Sequence, residues 1–129
     1  MHEPNCIFCR IAAGQIPSRK VYEDDAIVAF HDINPQAPTH LLLVPRKHVT
    51  SLLDLQAEDE PLMGALVSRA RELARELGVA ESGFRLVFNC GDDAGYSVHH
   101  IHLHLLASGL APAAAAPVQA TWMAETVFA

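Results

Sequence analysis

The sequence predicts an α+β domain with a mainly antiparallel five-stranded sheet, one long helix and a short N-terminal helix. Three observations predict it: five short runs of strand type, one long segment with the apolar spacing of an amphipathic helix, and tight turns between several of the runs. Strands joined by hairpins, with one helix crossing between them, favour an antiparallel sheet. At 129 residues the chain has the length for one core of modest size.

The first half of the chain begins with a short helix. Asn5 is a suitable N-cap and Gly14 a stop signal for a helix over residues 6–13. Cys6 and Cys9 would share one face of that helix. Three β-like runs follow, at residues 20–23, 26–31 and 39–45. Only an Asp-Asp turn separates the first two runs, so we expect a hairpin followed by a buried strand.

The second half carries the long helix and two further strands. Apolar residues recur with three-and-four spacing from about Ala57 to Leu77, and Pro61 fits only in the first turn of such a helix. Strands are predicted at residues 84–89 and 98–107. The sequence then becomes rich in alanine and proline. We therefore expect a folded domain over residues 1–110 and an irregular tail over residues 111–129.

Composition and charge exclude several classes of protein. A formal net charge of -6 argues against a protein that holds a long nucleic acid by neutralising its phosphates. The sequence has neither a signal-peptide pattern nor an apolar run approaching the roughly 18 to 20 residues of a membrane span, which predicts a cytoplasmic protein that does not enter a membrane. Three cysteines do not make a disulfide framework, so reduced thiols or a metal site fit better.

A dense group of histidines is the most informative feature. The chain has eight histidines, four of them within residues 99–104. His100, His102 and His104 alternate with aliphatic residues, so an extended chain would place all three rings on one face, about 6.6 Å apart. Three interpretations are open: solvated histidines on an exposed strand, a pair of zinc ligands, or a nucleophilic imidazole, which is neutral near pH 7 because its ordinary pKa is about 6.5.

The sequence around these histidines resembles the histidine triad superfamily. The segment His100–Leu106 reads HIHLHLL, Phe30–His40 reads FHDINPQAPTH, and Pro45–His48 reads PRKH. The upstream segments resemble the Hint branch, the nucleoside phosphoramidases, and the similarity covers roughly residues 6–106. The order and spacing of further residues agree as well: Glu23, Asp24, Asp25, Asn89 and Ser97.

The resemblance implies catalytic roles. His102 matches the histidine that attacks the α-phosphorus and carries a transient nucleotidyl group, while its other ring nitrogen donates to a fixed acceptor, usually a backbone carbonyl. His104 matches a donor to a phosphate oxygen, and Ser97 matches a hydroxyl that helps protonate the leaving group. His40 resembles the supporting fourth histidine. In a protein without a metal, His100 would have the common role of orienting its neighbour.

The resemblance also implies a purine nucleotide site. Asp32 would accept from the ribose hydroxyls, Ile33 and Phe8 would pack against the base, and Asn89 would contact the ribose-phosphate side. Backbone N–H groups of an anion-binding turn would hold the phosphate, so the implied nucleotide-binding set is Phe8, Asp32, Ile33, Asn89, Gly95, Tyr96, Ser97, His102 and His104. Tyr96 departs from the family, where many members have glutamine, and Ala107-Ser108-Gly109 departs from a Gly-Gly-Arg type sequence.

Cys6 and Cys9 have the spacing of a zinc knuckle, but one such pair supplies only two of four ligands. A redox role would need a strand-to-helix context upstream of the pair. Several bacterial Hint-like sequences with this pair hold a structural zinc with two histidines, and His48 and His100 match those positions. The resemblance therefore implies zinc as the cofactor. Cys90 is expected to be a small core residue.

The leading functional hypothesis is a hydrolase that cleaves nucleoside 5′-phosphoramidates or related nucleotidyl conjugates through a covalent intermediate on His102. A dinucleoside polyphosphate hydrolase of the Fhit branch is the first alternative. A nucleotide-binding regulatory protein with weak catalysis is the second. Because a small sheet has an exposed edge, and because of the resemblance, we also expect a homodimer that extends the sheet.

Overall fold

The framework of the domain is an antiparallel sheet of five strands. The structure, a computed structural model, describes residues 3–95 and 98–108. The strands are β1 (Lys20–Glu23), β2 (Ile27–His31), β3 (Thr39–Pro45), β4 (Arg85–Phe88) and β5 (Leu103–Ala107). Their order in the sheet is β1-β2-β3-β5-β4, and every neighbouring pair is antiparallel. The fold class predicted from the sequence is confirmed.

Two α-helices complete the fold. Helix α1 spans Ile7–Ala12 and α2 spans Glu60–Glu76. Helix α1 begins one residue later than predicted, because the Cys6 side chain, rather than Asn5, accepts from the Cys9 backbone N–H and caps it. Helix α2 also begins later, after a separate short 3-10 turn over Ala57–Asp59. No helix in the described ranges is long and apolar enough to cross a membrane.

Alternation along the strands gives the sheet two different faces. One face packs against α2 and forms the larger core, with residues Ile27, Ala29, Leu41, Leu43, Leu66, Ala70, Leu73, Ala74, Val79, Leu103, Leu105 and Ala107. The other face packs against α1, through Phe8, Ile11, Ala12, Val28, Phe30, Leu42 and Val44. Because side chains alternate, His40 on β3 and His104 on β5 belong to this second face. The sheet thus separates a purely apolar core from the histidines.

The predicted strand over residues 98–107 is wrong in its first half. Strand β5 begins only at Leu103, which pairs with Leu43. If the same register continued, Ile101 would lie opposite Pro45, whose nitrogen carries no proton for a ladder bond. Instead the Ile101 N–H donates to the Val49 carbonyl at 2.7 Å. The segment 98–102 therefore follows the connection after β3 and not the sheet.

The predicted hairpin between β1 and β2 is confirmed. The Asp24 carboxylate accepts from the backbone N–H groups of Ala26 and Ile27, both at 2.8 Å, and so closes the turn. The predicted tail, residues 111–129, lies outside the described residues, and so do Tyr96 and Ser97.

Candidate active site and metal-ligand cluster

The three alternating histidines are buried. The exposed fractions of His100, His102 and His104 are 0%, 2% and 0%. His104 lies within β5, whereas His100 and His102 precede it. The interpretation of solvated histidines on an exposed strand is therefore wrong, because the rings are enclosed by α1, β3 and their own loop.

One hydrogen bond defines the protonation of His102. Its Nδ1 lies 2.7 Å from the His100 carbonyl oxygen, which can only accept, so Nδ1 carries the proton and the lone pair lies on Nε2. Burial lowers the pKa of His102, although the bond to His100 and the charge of Asp32 oppose that change. The ring is thus a neutral imidazole with one basic nitrogen.

A second chain of hydrogen bonds orders the protons of His40 and His104. The Gln36 N–H donates to His40 Nδ1 at 3.0 Å, so the proton of the neutral His40 ring lies on Nε2. His40 Nε2 is 2.9 Å from His104 Nδ1 and donates to it, which leaves the His104 proton on Nε2. Burial, together with the neighbouring His102 and His40, lowers the pKa of His104 to about 3. His104 is therefore a neutral hydrogen-bond donor through Nε2.

Asp32 lies beside this relay. One carboxylate oxygen accepts from the Asn34 N–H at 2.9 Å, and the other is 3.4 Å from His40 Nε2. Asp32, His40 and His104 bring their ligand atoms close enough to hold a metal. The proton on His40 Nε2 argues against that use, since a metal there would force a proton onto Nδ1, against the N–H of Gln36. The group is better described as a hydrogen-bond network.

Some of the residues expected to bind a nucleotide lie beside the buried histidines, and others do not. Phe8 on α1 is buried with its ring edge-on to that of His102, at 5.0 Å between centroids. Asn89 follows β4, and its side-chain Nδ2 lies 3.4 Å from His104 Nε2, where the amide oxygen would accept the Nε2 proton if the amide were turned over. Ile33 is 90% exposed in the loop after β2 and is not packed in the cluster. Gly95 ends a short 3-10 turn with φ of 79°, a left-handed conformation that favours glycine.

A second cluster lies next to the histidines. The ligand atoms of Cys6, Cys9, His48 and His100 all lie within 4.8 Å of one another. His100 Nδ1 is 3.2 Å from Cys6 Sγ and 3.5 Å from Cys9 Sγ, and His48 Nδ1 is 3.3 Å from Cys9 Sγ. Two ligands of a tetrahedral zinc, one sulfur and one nitrogen, are separated by roughly 3.5 Å. The spacing of these atoms therefore fits zinc.

The hydrogen bonds around this cluster also fit a metal. His100 Nε2 lies 2.8 Å from the Pro45 carbonyl and donates to it, which leaves the Nδ1 lone pair directed at the sulfurs. Backbone N–H groups approach both sulfurs at 3.3 Å, from Glu3 to Cys9 Sγ and from Cys9 to Cys6 Sγ. Such donors stabilise thiolates, the form of cysteine that binds metals. Cys90 was expected to be a small core residue, but it is a half-buried free thiol outside the cluster.

Sequence reasoning missed Arg46, which ties the cluster to the hairpin. Its guanidinium donates to the carbonyls of Asp24 at 2.7 Å and Ala12 at 2.5 Å, and to the Glu23 carboxylate at 3.1 Å. Ala12 is the last residue of α1, the helix that carries Cys9. A basic residue after a strand has the pattern of a solvated charge, so nothing in the sequence pointed to this role.

The comparisons with known proteins agree with this geometry. A family model described as "Scavenger mRNA decapping enzyme C-term binding" matches residues 5–115. The chain is 44% identical over 100 residues to the purine nucleoside phosphoramidase of Escherichia coli K12, covering 78% of this chain and 84% of that one. The residues that the family model matches include the whole sheet and both helices.

Two solved structures extend the comparison. A HIT family hydrolase from Legionella pneumophila has a TM-score of 0.80 and 47% identity, covering 92% of this chain and 97% of that one. A zinc-bound histidine triad family protein from Mycobacterium smegmatis has a TM-score of 0.71 and 34% identity, covering 81% and 76%. This chain therefore belongs to the histidine triad superfamily and, within it, to the Hint-like branch of hydrolases.

Proposed function

We propose that this hydrolase cleaves purine nucleoside 5′-phosphoramidates or related nucleotidyl conjugates at the α-phosphorus, through a covalent intermediate on His102. The observation that carries the proposal is the 2.7 Å hydrogen bond from His102 Nδ1 to the His100 carbonyl, since it leaves the Nε2 lone pair for attack. Similarity to a purine nucleoside phosphoramidase supports the substrate class.

The chemistry has two displacements at phosphorus. In the first, His102 Nε2 forms a bond to the α-phosphorus as the P–N bond breaks, and the amine leaves after taking a proton. In the second, a water oxygen displaces His102 and gives up one of its two protons, which replaces the proton that left with the amine, and the nucleoside monophosphate is released. The amine needs that proton because an amide anion would be a very poor leaving group, and the resemblance assigns the donor role to the Ser97 hydroxyl.

His104 and His40 serve the phosphoryl group in this proposal. Both displacements increase negative charge on the oxygens of the phosphoryl group, and a fixed N–H donor stabilises that charge. His104 Nε2–H is such a donor, because the hydrogen bond from His40 holds its Nδ1 as the acceptor. His40 is then a positioning residue that acts through His104.

The nucleoside would lie on the α1 side of the sheet. Phe8 supplies a flat apolar wall beside His102, and Ile33 is exposed in a loop from which it can cover the base. We assign Asp32 to the ribose hydroxyls, Asn89 to the ribose-phosphate side, and Gly95, Tyr96 and Ser97 to the phosphate. Bound nucleoside monophosphate in a crystal structure would test these assignments.

We propose that Cys6, Cys9, His48 and His100 hold a structural zinc. The donor set of two thiolates and two imidazoles, the spacing of the ligand atoms and the zinc-bound relative support it. A bound zinc would supply a cross-link between α1, the connection after β3 and the histidine segment. It would take no part in the displacement.

We also propose a homodimer that extends the sheet through β4. Among the described residues this strand lies at one edge of the sheet, and three of its four partly buried residues are apolar, Leu86, Val87 and Phe88. An apolar edge strand is suited to pairing with a second copy.

The test of the activity is a comparison of substrates. The proposal expects kcat/KM for adenosine 5′-phosphoramidate to exceed that for a diadenosine polyphosphate by at least about 100-fold, or about 2.7 kcal/mol of transition-state binding. The reverse preference would make the chain a dinucleoside polyphosphate hydrolase. Nucleotide binding without turnover of either substrate would favour the alternative of a nucleotide-binding regulatory protein.

A further inference from the structure

We propose that the metal-ligand cluster positions the nucleophile, because His100 is shared between the two sites. Its side chain faces Cys6 and Cys9 with Nδ1, while its backbone carbonyl accepts the Nδ1 proton of His102 at 2.7 Å. A change in the cluster therefore reaches His102 through one residue. The inference rests on the proposed role of His102 as the nucleophile.

The segment that contains His100 and His102 needs a support of this kind because the sheet ends before it. In the described part of the chain, the ladder between β3 and β5 ends at Leu43 and Leu103, so His100 and His102 lie beyond it. The segment is held instead from outside the sheet, by bonds from His100 Nε2 to the Pro45 carbonyl and from Ile101 N–H to the Val49 carbonyl. Both acceptors lie in the stretch that flanks His48.

His104 provides the contrast within the same site. It pairs with Leu42 of β3 and Val87 of β4, and its ring accepts from His40. The sheet thus fixes His104 on both sides without help from the cluster. Loss of the cluster should disturb His102 and leave His104 in place.

The coupling acts through orientation of the His100 peptide. A metal held by Nδ1 would keep the His100 ring in the orientation that the structure shows, in which Nε2–H points at the Pro45 carbonyl. That orientation fixes the carbonyl towards His102 and selects the tautomer with the lone pair on Nε2. Without the metal, Nδ1 would face two thiols, which are weak hydrogen-bond partners, and the bond from Nε2 to the Pro45 carbonyl would be the remaining strong restraint on the ring.

The direct test is the tautomer of His102 in protein labelled with ¹⁵N-histidine. Spectra that correlate ring nitrogens with ring carbon-bound protons are recorded with zinc, after its removal by a chelator, and after zinc is returned. We expect the Nδ1–H form of His102 with zinc, a mixture of both neutral tautomers without it, and recovery on re-addition. His104 should keep its Nε2–H form throughout, as the internal control.

Two results would overturn the coupling. An unchanged His102 pattern in zinc-free protein would show that the cluster does not hold the ring. Loss of the His102 and His104 patterns together would show that the metal supports the whole domain and not the nucleophile in particular.

A pair of variants carries the same test without a chelator. His48 lies outside the catalytic segment, so His48→Ala removes a ligand and His48→Cys replaces it with another. We expect kcat to fall about 10- to 100-fold in His48→Ala, with KM changed less than about threefold, and to recover in His48→Cys. Equal kcat in the wild type, His48→Ala and His48→Cys would overturn the inference. The substrate comparison above tests the proposed function separately, and its result does not depend on these variants.

Discussion

His40 and His104 lie on neighbouring strands with 2.9 Å between His40 Nε2 and His104 Nδ1. The direction of this hydrogen bond is determined by a backbone group, because the Gln36 N–H occupies the other nitrogen of His40. Protons are therefore ordered along the chain from Gln36 to His104. The outermost proton lies on His104 Nε2, where a developing phosphoryl charge can use it.

The first prediction concerns this relay. In His40→Ala, His104 loses the partner that selects its tautomer, and kcat should fall about 10- to 100-fold. In His40→Gln, the side-chain amide can still donate towards His104, so a larger part of kcat should remain. Steady-state kinetics of both variants check this. Equal losses in the two variants would contradict a role for the donated proton.

The second prediction concerns acid stability. The pKa of His104 in the folded protein is about 3, because of burial and because His102 and His40 face the ring. An unfolded chain takes up that proton near pH 6.5, so this contribution to stability is complete above about 6.5 and is lost as pH falls towards 3, by up to about 1.4 kcal/mol per pH unit. Denaturant unfolding of the wild type and His104→Asn should show a smaller pH slope in the variant.

The third prediction concerns Arg46. Its guanidinium is the described partner of the Ala12 carbonyl at the end of α1, so Arg46→Ala should lower the free energy of unfolding by roughly 1 to 3 kcal/mol. Arg75→Ala is the matched control, since Arg75 is exposed on α2 and pairs with Glu72, and it should change stability by less than about 0.5 kcal/mol. Urea titrations of both variants compare the two.

The fourth prediction concerns metal content. Protein purified without chelator should contain about one zinc per chain, held by two thiolates and two imidazoles. Cys9→Ser should bind much less zinc, whereas Cys90→Ser, which alters the cysteine outside the cluster, should bind as much as the wild type. Elemental analysis of the three proteins decides the matter. A fully folded wild type without metal would reject the site.

Most of the fold could be predicted from the sequence, because the patterns that indicate strands and helices are local. The apolar run within residues 39–45 predicted a buried strand, and three-and-four spacing predicted the long helix; both are confirmed. The histidine strand was extended too far, since alternation alone ignores the partner strand. Pro45, which cannot donate to a ladder, ends the pairing that residues 98–102 would need.

Contacts across the fold were harder to predict. The Cys6, Cys9, His48 and His100 grouping came from resemblance, and the structure brings their ligand atoms together. The bonds of Arg46, and the bond from His100 to the Pro45 carbonyl, depend on backbone groups, which every residue carries alike. No residue pattern in the sequence marks which carbonyl will be the acceptor.

A rapid-quench measurement on His102 tests the central claim most directly. Protein mixed with an adenosine 5′-phosphoramidate, quenched within one turnover and digested, should yield a peptide over the histidine segment that carries one nucleotidyl group on His102, and His102→Ala should yield none and turn over no substrate. Unmodified His102 in the wild type, together with full activity in His102→Ala, would contradict the account.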